Sequence, residues 1–195
     1  MNVTGIIAEY NPFHNGHAFH IEETQKNTDA DYCIAVISGD FVQRGAPALL
    51  NKYDRAKMAL ENGIDLVIEL PVITATSSAE NFAQGGVCLL NALGVVSQIS
   101  FGAEANTASD VNLLGRLADF FAFEPPIFQE YLDQALKSGC SFPAARAKAA
   151  LTCLQQAKHH SMDSQTLAQF EQLLASPNNI LAIAYCNALK DINST

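Results

Sequence analysis

The fold is decided by the stretch Val3-Thr4-Gly5-Ile6-Ile7-Ala8-Glu9-Tyr10-Asn11-Pro12-Phe13-His14-Asn15-Gly16-His17 near the start of the chain. Its apolar first part, Val3–Ala8, predicts a buried strand, and a helical pattern over His17–Asn27 follows the stretch. A strand that leads through a short loop into a helix is typical of βαβ units, which build parallel sheets. We therefore expect an α/β fold.

The rest of the N-terminal half repeats this alternation. Further strands are predicted over Tyr32–Ser38, Asp65–Leu70 and Val95–Phe101, with helices over Lys52–Glu61 and Ser78–Leu93 between them. In the first of these helices, small and apolar residues recur on one side, as packing on a sheet requires, and a glycine ends it. The pattern predicts a Rossmann-like parallel sheet flanked by helices.

The C-terminal half is predicted to be mostly helical. Apolar residues recur at helical spacing over Asp110–Ala122, Pro126–Ser138, Pro143–Ala157, Ser164–Ala175 and Ile180–Lys190. Either Asn178 or Asn179 is a suitable cap for the last helix. Because the pair Pro125-Pro126 cannot continue a helix, we predict an α/β domain over residues 1–122 and a helical extension over 123–195.

The composition of the 195-residue chain is that of a globular protein, with 49% apolar and 16% charged residues. Its apolar runs are too short to span a membrane and its start lacks a signal-peptide pattern, so we expect a cytoplasmic protein without a membrane partner. The five cysteines are widely spaced and form no C-x-x-C pair, which favours buried apolar residues over disulfides or a zinc site.

The charge is unfavourable for binding a polyanion, because the formal net charge is −9. The basic residues are unevenly distributed, however. Five of the eleven lie in one stretch: Lys26, Arg44, Lys52, Arg55 and Lys57. They predict a local positive surface within an acidic protein.

His14, Gly16 and His17 follow the first strand at a place suited to binding phosphate. Ligands of parallel sheets sit beyond the carboxyl ends of the strands, where the next helix offers free N–H groups and the positive end of its dipole. Two imidazoles there can stabilise charge that develops during attack at phosphorus, and a glycine between them allows close approach of the backbone. The plainer alternative is that both histidines lie in a turn and at a helix start without a functional role. A metal site is disfavoured, because no third ligand lies at a suitable spacing.

Other segments accompany the His-x-Gly-His loop along nearly the whole chain. Residues 5–17, 38–45, 52–56, 65–71, 100–104 and 177–181, in this order, resemble segments of the bacterial tRNA(Met) cytidine acetate ligase family. That family belongs to the His-x-Gly-His nucleotidyltransferase superfamily, so the resemblance implies a nucleotidyltransferase sheet of the HUP type.

The resemblance also implies an enzyme that activates acetate with ATP to acetyl-adenylate and transfers the acetyl group to N4 of the wobble cytidine of elongator tRNA(Met). ATP would bring its Mg²⁺ on its own phosphates, and His14 and His17 would be catalytic. By position, the ATP site would comprise Ile7, Ala8, Glu9, Tyr10, Asn11, Pro12, Phe13, His14, Asn15, Gly16, His17, Ala18, Phe19, His20, Gly102 and Asn178. The choice between Asn178 and its neighbour Asn179 stays open.

Charged residues beyond the second and third strands are further candidates. Asp40, Arg44, Lys52 and Arg55 are expected contacts for phosphate, acetate or RNA, since an arginine fork suits carboxylates and phosphates. The alternatives are a surface arginine at position 44 and a solvated helix face for the other two cations. Glu69 would orient a partner or hold Mg²⁺ through water, and the alternatives are that it caps a helix or forms an ion pair.

Members of the resembled family continue past the position of Thr195, with a further strand, an arginine in the ATP site and a second phosphate motif. The resemblance therefore implies that the chain lacks part of the enzyme and that most of the tRNA surface lies in that part. Two other functions remain open: a small-molecule adenylyltransferase, and an ATP-binding remnant without catalysis. The oligomeric state is also open.

Overall fold

The computed structural model of the chain describes residues 1–43, 45–105, 107–156 and 163–192. Within these ranges the strands are β1 (Val3–Ala8), β2 (Tyr32–Ser38), β3 (Leu66–Leu70) and β4 (Gln98–Ser100). The helices there are α1 (Asn15–Thr28), α2 (Lys52–Glu61), α3 (Val72–Ala75), α4 (Ala79–Ala92), α5 (Ala108–Ala122), α6 (Pro126–Lys137), α7 (Phe142–Gln156), α8 (Ser164–Ala175) and α9 (Pro177–Asp191). This order confirms the predicted α/β class and its helical second half.

β1 lies inside the sheet, whose strand order is β3-β2-β1-β4 and whose neighbouring strands all pair in parallel. Ile6 of β1 is opposite Ala35 of β2 and Ser100 of β4. The chain moves outward through β2 and β3 and then returns to the other side of β1. The strand order thus reverses between β1 and β4, and open α/β sheets bind ligands beyond the carboxyl ends of strands at such a reversal.

Helices cover both faces of the sheet. On one face, Ile6 belongs to a buried core with Ile21 of α1 and Ala59 of α2. On the other face, α4 lies so close to β1 that a Cβ on Gly5 would fall 2.6 Å from Cδ1 of Leu90. The central strand is therefore buried on both sides, which explains why its sequence is apolar apart from Thr4, whose hydroxyl donates to Thr28.

Three details of the α/β half differ from the sequence-based prediction. β4 is confined to Gln98–Ser100, because only these residues pair with β1, whereas the prediction extended over Val95–Phe101. α1 begins at Asn15 instead of His17, since His14 caps it. The short helix α3, which follows Pro71, was not predicted because four residues show no helical periodicity.

The helices α5 to α8 and most of α9 belong to a second compact unit, Ala103–Lys190. The first unit comprises Met1–Gly102 and, among the described residues at the end of the chain, Asp191 and Ile192. Leu117, Phe121, Phe128 and Phe170 are buried apolar residues of the second unit. The compact units thus divide after Gly102, and the domain boundary after residue 122 stays a prediction.

α9 begins earlier than predicted. Pro177 is its first residue, so Asn178 and Asn179 lie in its first turn, and the prediction that one of them caps a helix starting at Ile180 is wrong. Proline suits the first helical position because it lacks an N–H that would have no intrahelical partner. The helical pattern Pro143–Ala157 was predicted to end at Ala157, which lies outside the described residues. In the described part of the chain, no helix is long and apolar enough to cross a membrane.

Candidate functional site

Two histidines cap the start of α1 directly after β1. His14 is the N-cap in an extended conformation, and its Nδ1 accepts a hydrogen bond from the backbone N–H of Gly16 at 3.1 Å. The backbone N–H of His14 in turn donates to Nδ1 of His17 at 3.3 Å. The pair forms a reciprocal capping box of the kind usually made by Ser or Thr with Glu.

This capping box fixes which ring nitrogen carries the proton. A neutral imidazole has one donor and one acceptor nitrogen, so a ring that accepts at Nδ1 carries its hydrogen on Nε2. The rings of His14 and His17 stack, with centroids 3.7 Å apart and an angle of 20° between their planes. The start of α1 therefore presents two N–H donors on adjacent rings, an arrangement suited to an anion.

His17 stays neutral at physiological pH. Its pKa is lowered to about 4, mainly because the ring is removed from water and to a lesser degree because His14 and His20 lie near it. A protonated ring would carry hydrogen on both nitrogens and could not accept from the backbone of His14. The neutral ring thus preserves the cap and keeps a fixed donor.

Aromatic residues of the loop before α1 pack against the ring of His17. Tyr10 is 1% exposed, and its ring meets those of Phe13 and His17 edge-on at centroid distances of 4.9 Å. Burial raises the pKa of the Tyr10 phenol far above its usual range. The backbone of Tyr10 is in the left-handed region with φ 48°, a conformation that is unfavourable for a bulky residue and is concentrated at functional sites.

A side chain at Gly16 would crowd the ring of His14. A Cβ at this position would fall 3.0 Å from Cε1 and 3.1 Å from Nδ1 of His14, closer than side chains normally pack. The sequence suggested that this glycine makes room for a ligand. The geometry shows that it also makes room for the capping imidazole.

The first turn of α1 contains no acidic residue, whereas α2 and α4 carry Asp54 and Glu80 in theirs. A carboxylate in the first turn would offset the positive end of the helix dipole and repel an anion. α1 therefore differs from α2 and α4 by a start that favours a negatively charged ligand.

His20, one turn further along α1, is joined to β4. Its Nε2 lies 3.1 Å from Oγ of Ser100, and Oγ1 of Thr24 lies 2.7 Å from the same oxygen. Burial lowers the pKa of His20. Gly102, which is exposed, follows β4 shortly after Ser100, so the network holds the predicted glycine at the edge where the histidines lie.

Ser100 and Thr24 were not predicted as site residues. The sequence contained one usable signal for Thr24, which is four residues after His20 and so shares its helix face. For Ser100, only the strand pairing with Ile6 reveals the position.

The remaining residues predicted for the ATP site have varied surroundings. The side chain of Ile7 packs on Gly86 of α4, where an added Cβ would fall 2.8 Å from its Cδ1. Glu9 Oε1 accepts from the backbone N–H of Gln43 at 2.6 Å. The other members are half-buried or exposed: Ala8, Asn11 and Ala18 are half-buried, and Pro12, Asn15 and Phe19 are exposed.

The charged candidates beyond β2 do not all face solvent. Arg55 is fully buried, at 0% exposure, so neither the expected ligand contact nor the alternative of a solvated helix face fits its position. Lys52 Nζ lies 2.7 Å from Oε2 of Glu69 and 4.0 Å from Oδ2 of the exposed Asp40, which agrees with the ion-pair alternative for Glu69. Arg44 lies outside the described residues.

The two asparagines of α9 differ in burial within the second unit. Asn179 is 2% exposed, and its Oδ1 accepts from the backbone N–H of Glu104 at 2.8 Å. Asn178 is exposed, and its Nδ2 donates to Oε1 of Glu104 at 3.0 Å. Asn179 is therefore committed to holding the backbone after Ala103, and Asn178 stays the predicted contact for ATP.

Among the described residues, no three His, Cys, Asp or Glu side chains are grouped as metal ligands are.

Comparison with known proteins supports the reading of the loop. The model of the family described as HIGH Nucleotidyl Transferase matches residues 1–195. A tRNA(Met) cytidine acetate ligase of Clostridium perfringens (strain SM101 / Type A) is 50% identical over all of this chain, which covers 47% of that relative. A second such ligase, of Thermoanaerobacter sp. (strain X514), is 48% identical, and the chain covers 45% of it.

Solved structures agree with these relatives. Thermotoga maritima TmcAL bound with alpha-thio ATP matches with a TM-score of 0.86 and 40% identity, over all of this chain and 44% of that one. Its apo form matches with a TM-score of 0.85. The chain thus spans about half the length of the curated relatives it matches. The resemblance inferred from the sequence is confirmed, and the chain belongs to the HIGH nucleotidyl transferase family.

Proposed function

We propose that the chain binds ATP and activates acetate to acetyl-adenylate, the first half of a reaction that acetylates N4 of the wobble cytidine of elongator tRNA(Met). The observation that carries the proposal is the stacked pair His14 and His17, which offers two N–H donors at the positive end of α1. The relatives named tRNA(Met) cytidine acetate ligase and the neighbour bound with alpha-thio ATP support it.

In this reaction, a carboxylate oxygen of acetate forms a bond to the α-phosphorus of ATP, and the bond from that phosphorus to the bridging oxygen breaks. The electron pair leaves with pyrophosphate, so negative charge builds up on the phosphates. Donors placed in advance stabilise such charge without reorganisation, which is the role we assign to His14 and His17. Acetate is ionised at neutral pH and needs no general base. Mg²⁺ would arrive on the phosphates of the nucleotide.

The tRNA step is assigned mainly to regions that the relatives possess beyond the length matched by this chain. RNA affinity depends largely on neutralising phosphates, and a net charge of −9 opposes it. A tRNA substrate also supports a cytoplasmic location. We therefore propose that this chain supplies the ATP and acetate chemistry and that the acceptor is held elsewhere.

The test is exchange of labelled pyrophosphate into ATP by the purified chain, with and without acetate. Acetyl-adenylate formation is reversible, so acetate should raise the exchange rate well above the rate without it. Exchange that ignores acetate would contradict the proposal. A variant carrying both His14→Ala and His17→Ala is the control, because it should lose the exchange while α2 and the sheet remain intact.

A second function is favoured by the breadth of the matched family, whose description names nucleotidyl transfer without an acceptor. A small-molecule adenylyltransferase would use the same histidines on a different nucleophile. A screen of phosphorylated acceptors such as pantetheine phosphate and nicotinamide mononucleotide separates the two, since only the second function predicts acetate-independent turnover. ATP binding without turnover on any acceptor would indicate a non-catalytic remnant.

A further inference from the structure

Arg55 is the largest of the fully buried side chains, and it is charged. Burying an arginine is costly unless hydrogen bonds compensate, so its partners reveal why it is there. Its Nε donates to the carbonyl of Leu50 at 3.1 Å and its Nη1 to the carbonyl of Glu9 at 2.6 Å, while its Nη2 donates to the carbonyl of Gly39. All three acceptors are backbone oxygens.

These carbonyls come from different segments of the α/β unit. Glu9 begins the loop that follows β1, Gly39 follows β2, and Leu50 precedes α2. A planar guanidinium can bind several acceptors at once in fixed directions, whereas an ammonium group has no such geometry. Arg55 thus fastens the His-x-Gly-His loop to the segment between β2 and α2.

Other bonds join the same two segments. Besides the bond from Gln43 to Glu9, the backbone N–H of Leu49 donates to Oδ1 of Asn11 at 2.6 Å. The segment after β2 has its own backbone bonds, from Val42 N–H to the Ala46 carbonyl and from Ala48 N–H to the Asp40 carbonyl. The described residues of this segment therefore form a folded support for the loop.

Glu9 and Asn11, the loop residues that accept these hydrogen bonds, lie on either side of Tyr10. Glu9 is held through its carbonyl and its carboxylate, and Asn11 through its amide oxygen, while Tyr10 between them has its unfavourable φ of 48°. A non-glycine residue keeps such a conformation only where its surroundings enforce it. The ring of Tyr10 then contacts His17, so the loop conformation reaches the capping histidines.

We infer that Arg55 is a positioning residue, which holds the loop after β1 in the conformation that aligns His14 and His17 for the nucleotide. The inference rests on the proposed function, because alignment matters only if these rings bind phosphate. Burial lowers the pKa of Arg55, and the nearby carboxylates of Asp40, Glu9 and Glu69 oppose that fall.

The experiment is a double-mutant cycle with the variants Arg55→Lys, His17→Ala and both together, in which ATP affinity is measured by calorimetry. Lysine keeps the charge but cannot hold three carbonyls in fixed directions. We expect Arg55→Lys to weaken ATP binding by about 10-fold in the parent, since even a displacement of about 1 Å in a preorganised site can cost about 100-fold in rate. In the His17→Ala background, the same change should have an effect of less than about 2-fold, because the ring that it aligns is already gone.

A control separates alignment from general stability. Leu90→Ala thins the core on the face of the sheet opposite α1 and α2, where Leu90 packs on Gly5, and it lies outside the hydrophobic cluster that contains Tyr10. It should lower the urea midpoint but leave ATP affinity unchanged. If Arg55→Lys does not fold, Asn11→Ala replaces it, because this change removes the bond from the backbone N–H of Leu49. Its effect on ATP affinity is likewise expected to be large with His17 present and small in the His17→Ala background.

The outcomes distinguish two failures. Equal losses from Arg55→Lys in both backgrounds, or no loss in the parent, would overturn the positioning role and leave the proposed function standing. If His17→Ala itself leaves ATP affinity unchanged, the proposed function fails and the positioning role fails with it.

Discussion

The starts of α1 and α2 lie at the same edge of the sheet and are built in opposite ways. α2 is capped by Asn51, whose side chain accepts from the backbone of Asp54 at 3.0 Å, and Asp54 adds a carboxylate to the first turn. Lys52 pairs with Glu69, and the buried Arg55 donates to backbone carbonyls. α1 is capped by two imidazoles and has no acid in its first turn.

The difference shows which helix start is left for a ligand. Charge at the start of α2 is compensated within the protein, so its polar groups support neighbouring segments. At α1, the groups that cap the helix also present donors on their other ring nitrogens. Lys52 and Arg55 at the start of α2 bind groups of the protein itself, so their position near a helix start does not indicate an anion site.

The largest expected effect comes from removing one cap at each helix. His17→Ala should lower the acetate-dependent exchange rate by about 100- to 1000-fold, the usual cost of losing a donor to developing charge. Asn51→Ala should leave the rate of the folded protein within about 2-fold, because an ordinary cap affects stability only. Comparable losses in both variants would remove the distinction between the helices.

The second prediction concerns pH. The pKa of His17 is lowered to about 4 in the folded chain, against 6.5 in the unfolded chain. Between these values the unfolded chain binds more protons, so stability falls as pH drops from 6.5 towards 4, and is unaffected by His17 above that range. In an NMR titration, the His17 ring should titrate near pH 4. A midpoint near 6.5 would contradict the buried, neutral ring.

A smaller effect is expected from Asn51→Ala on stability. Loss of an asparagine cap should lower the free energy of unfolding by about 1 kcal/mol. Urea denaturation followed by circular dichroism measures it, and Asn51→Ser is the matched control, since serine is an equally good cap and adds no charge beside Asp54. If Asn51→Ser destabilises as much as Asn51→Ala, the cap does not account for the contribution of Asn51 to stability.

The smallest effect is expected from Lys52→Met, which removes an ion pair with the half-exposed Glu69. Ion pairs between solvent-exposed groups contribute little to stability, so the urea denaturation midpoint should change only slightly. ATP affinity should also stay unchanged, because Lys52 is committed to carboxylates. A clear loss of ATP affinity would place Lys52 in the nucleotide site and revive the contact expected from the sequence.

The sequence predicted what is encoded locally. The apolar run Val3–Ala8 defined the strand β1 because burial on both faces has a distinct pattern, while the helix after it was predicted to begin two residues too late. β4 was predicted too long, since Val95 is β-branched but 47% exposed and outside the pairing. The pattern of apolar residues along one strand cannot show where its pairing with the neighbouring strand ends.

Arg55 could not have been interpreted correctly from its sequence. It lies one helical turn after Lys52, a spacing that suggests a shared basic face, but its partners Glu9 and Gly39 are brought to it only by the parallel pairing of β1 and β2. The histidine cap was missed for a related reason. His14 was recognised as a ligand for phosphate, but its use as the N-cap depends on the extended backbone that the loop imposes.

The most direct test of the central claim is a calorimetric titration of the chain with ATP, in parallel with the variant His14→Ala/His17→Ala. If the stacked rings donate to the phosphates, the parent binds ATP and the double variant binds at least about 100-fold more weakly, since each bond to a charged group is worth about 1.5 to 3 kcal/mol. Equal affinity in a double variant that retains the helical content of the parent would contradict the account.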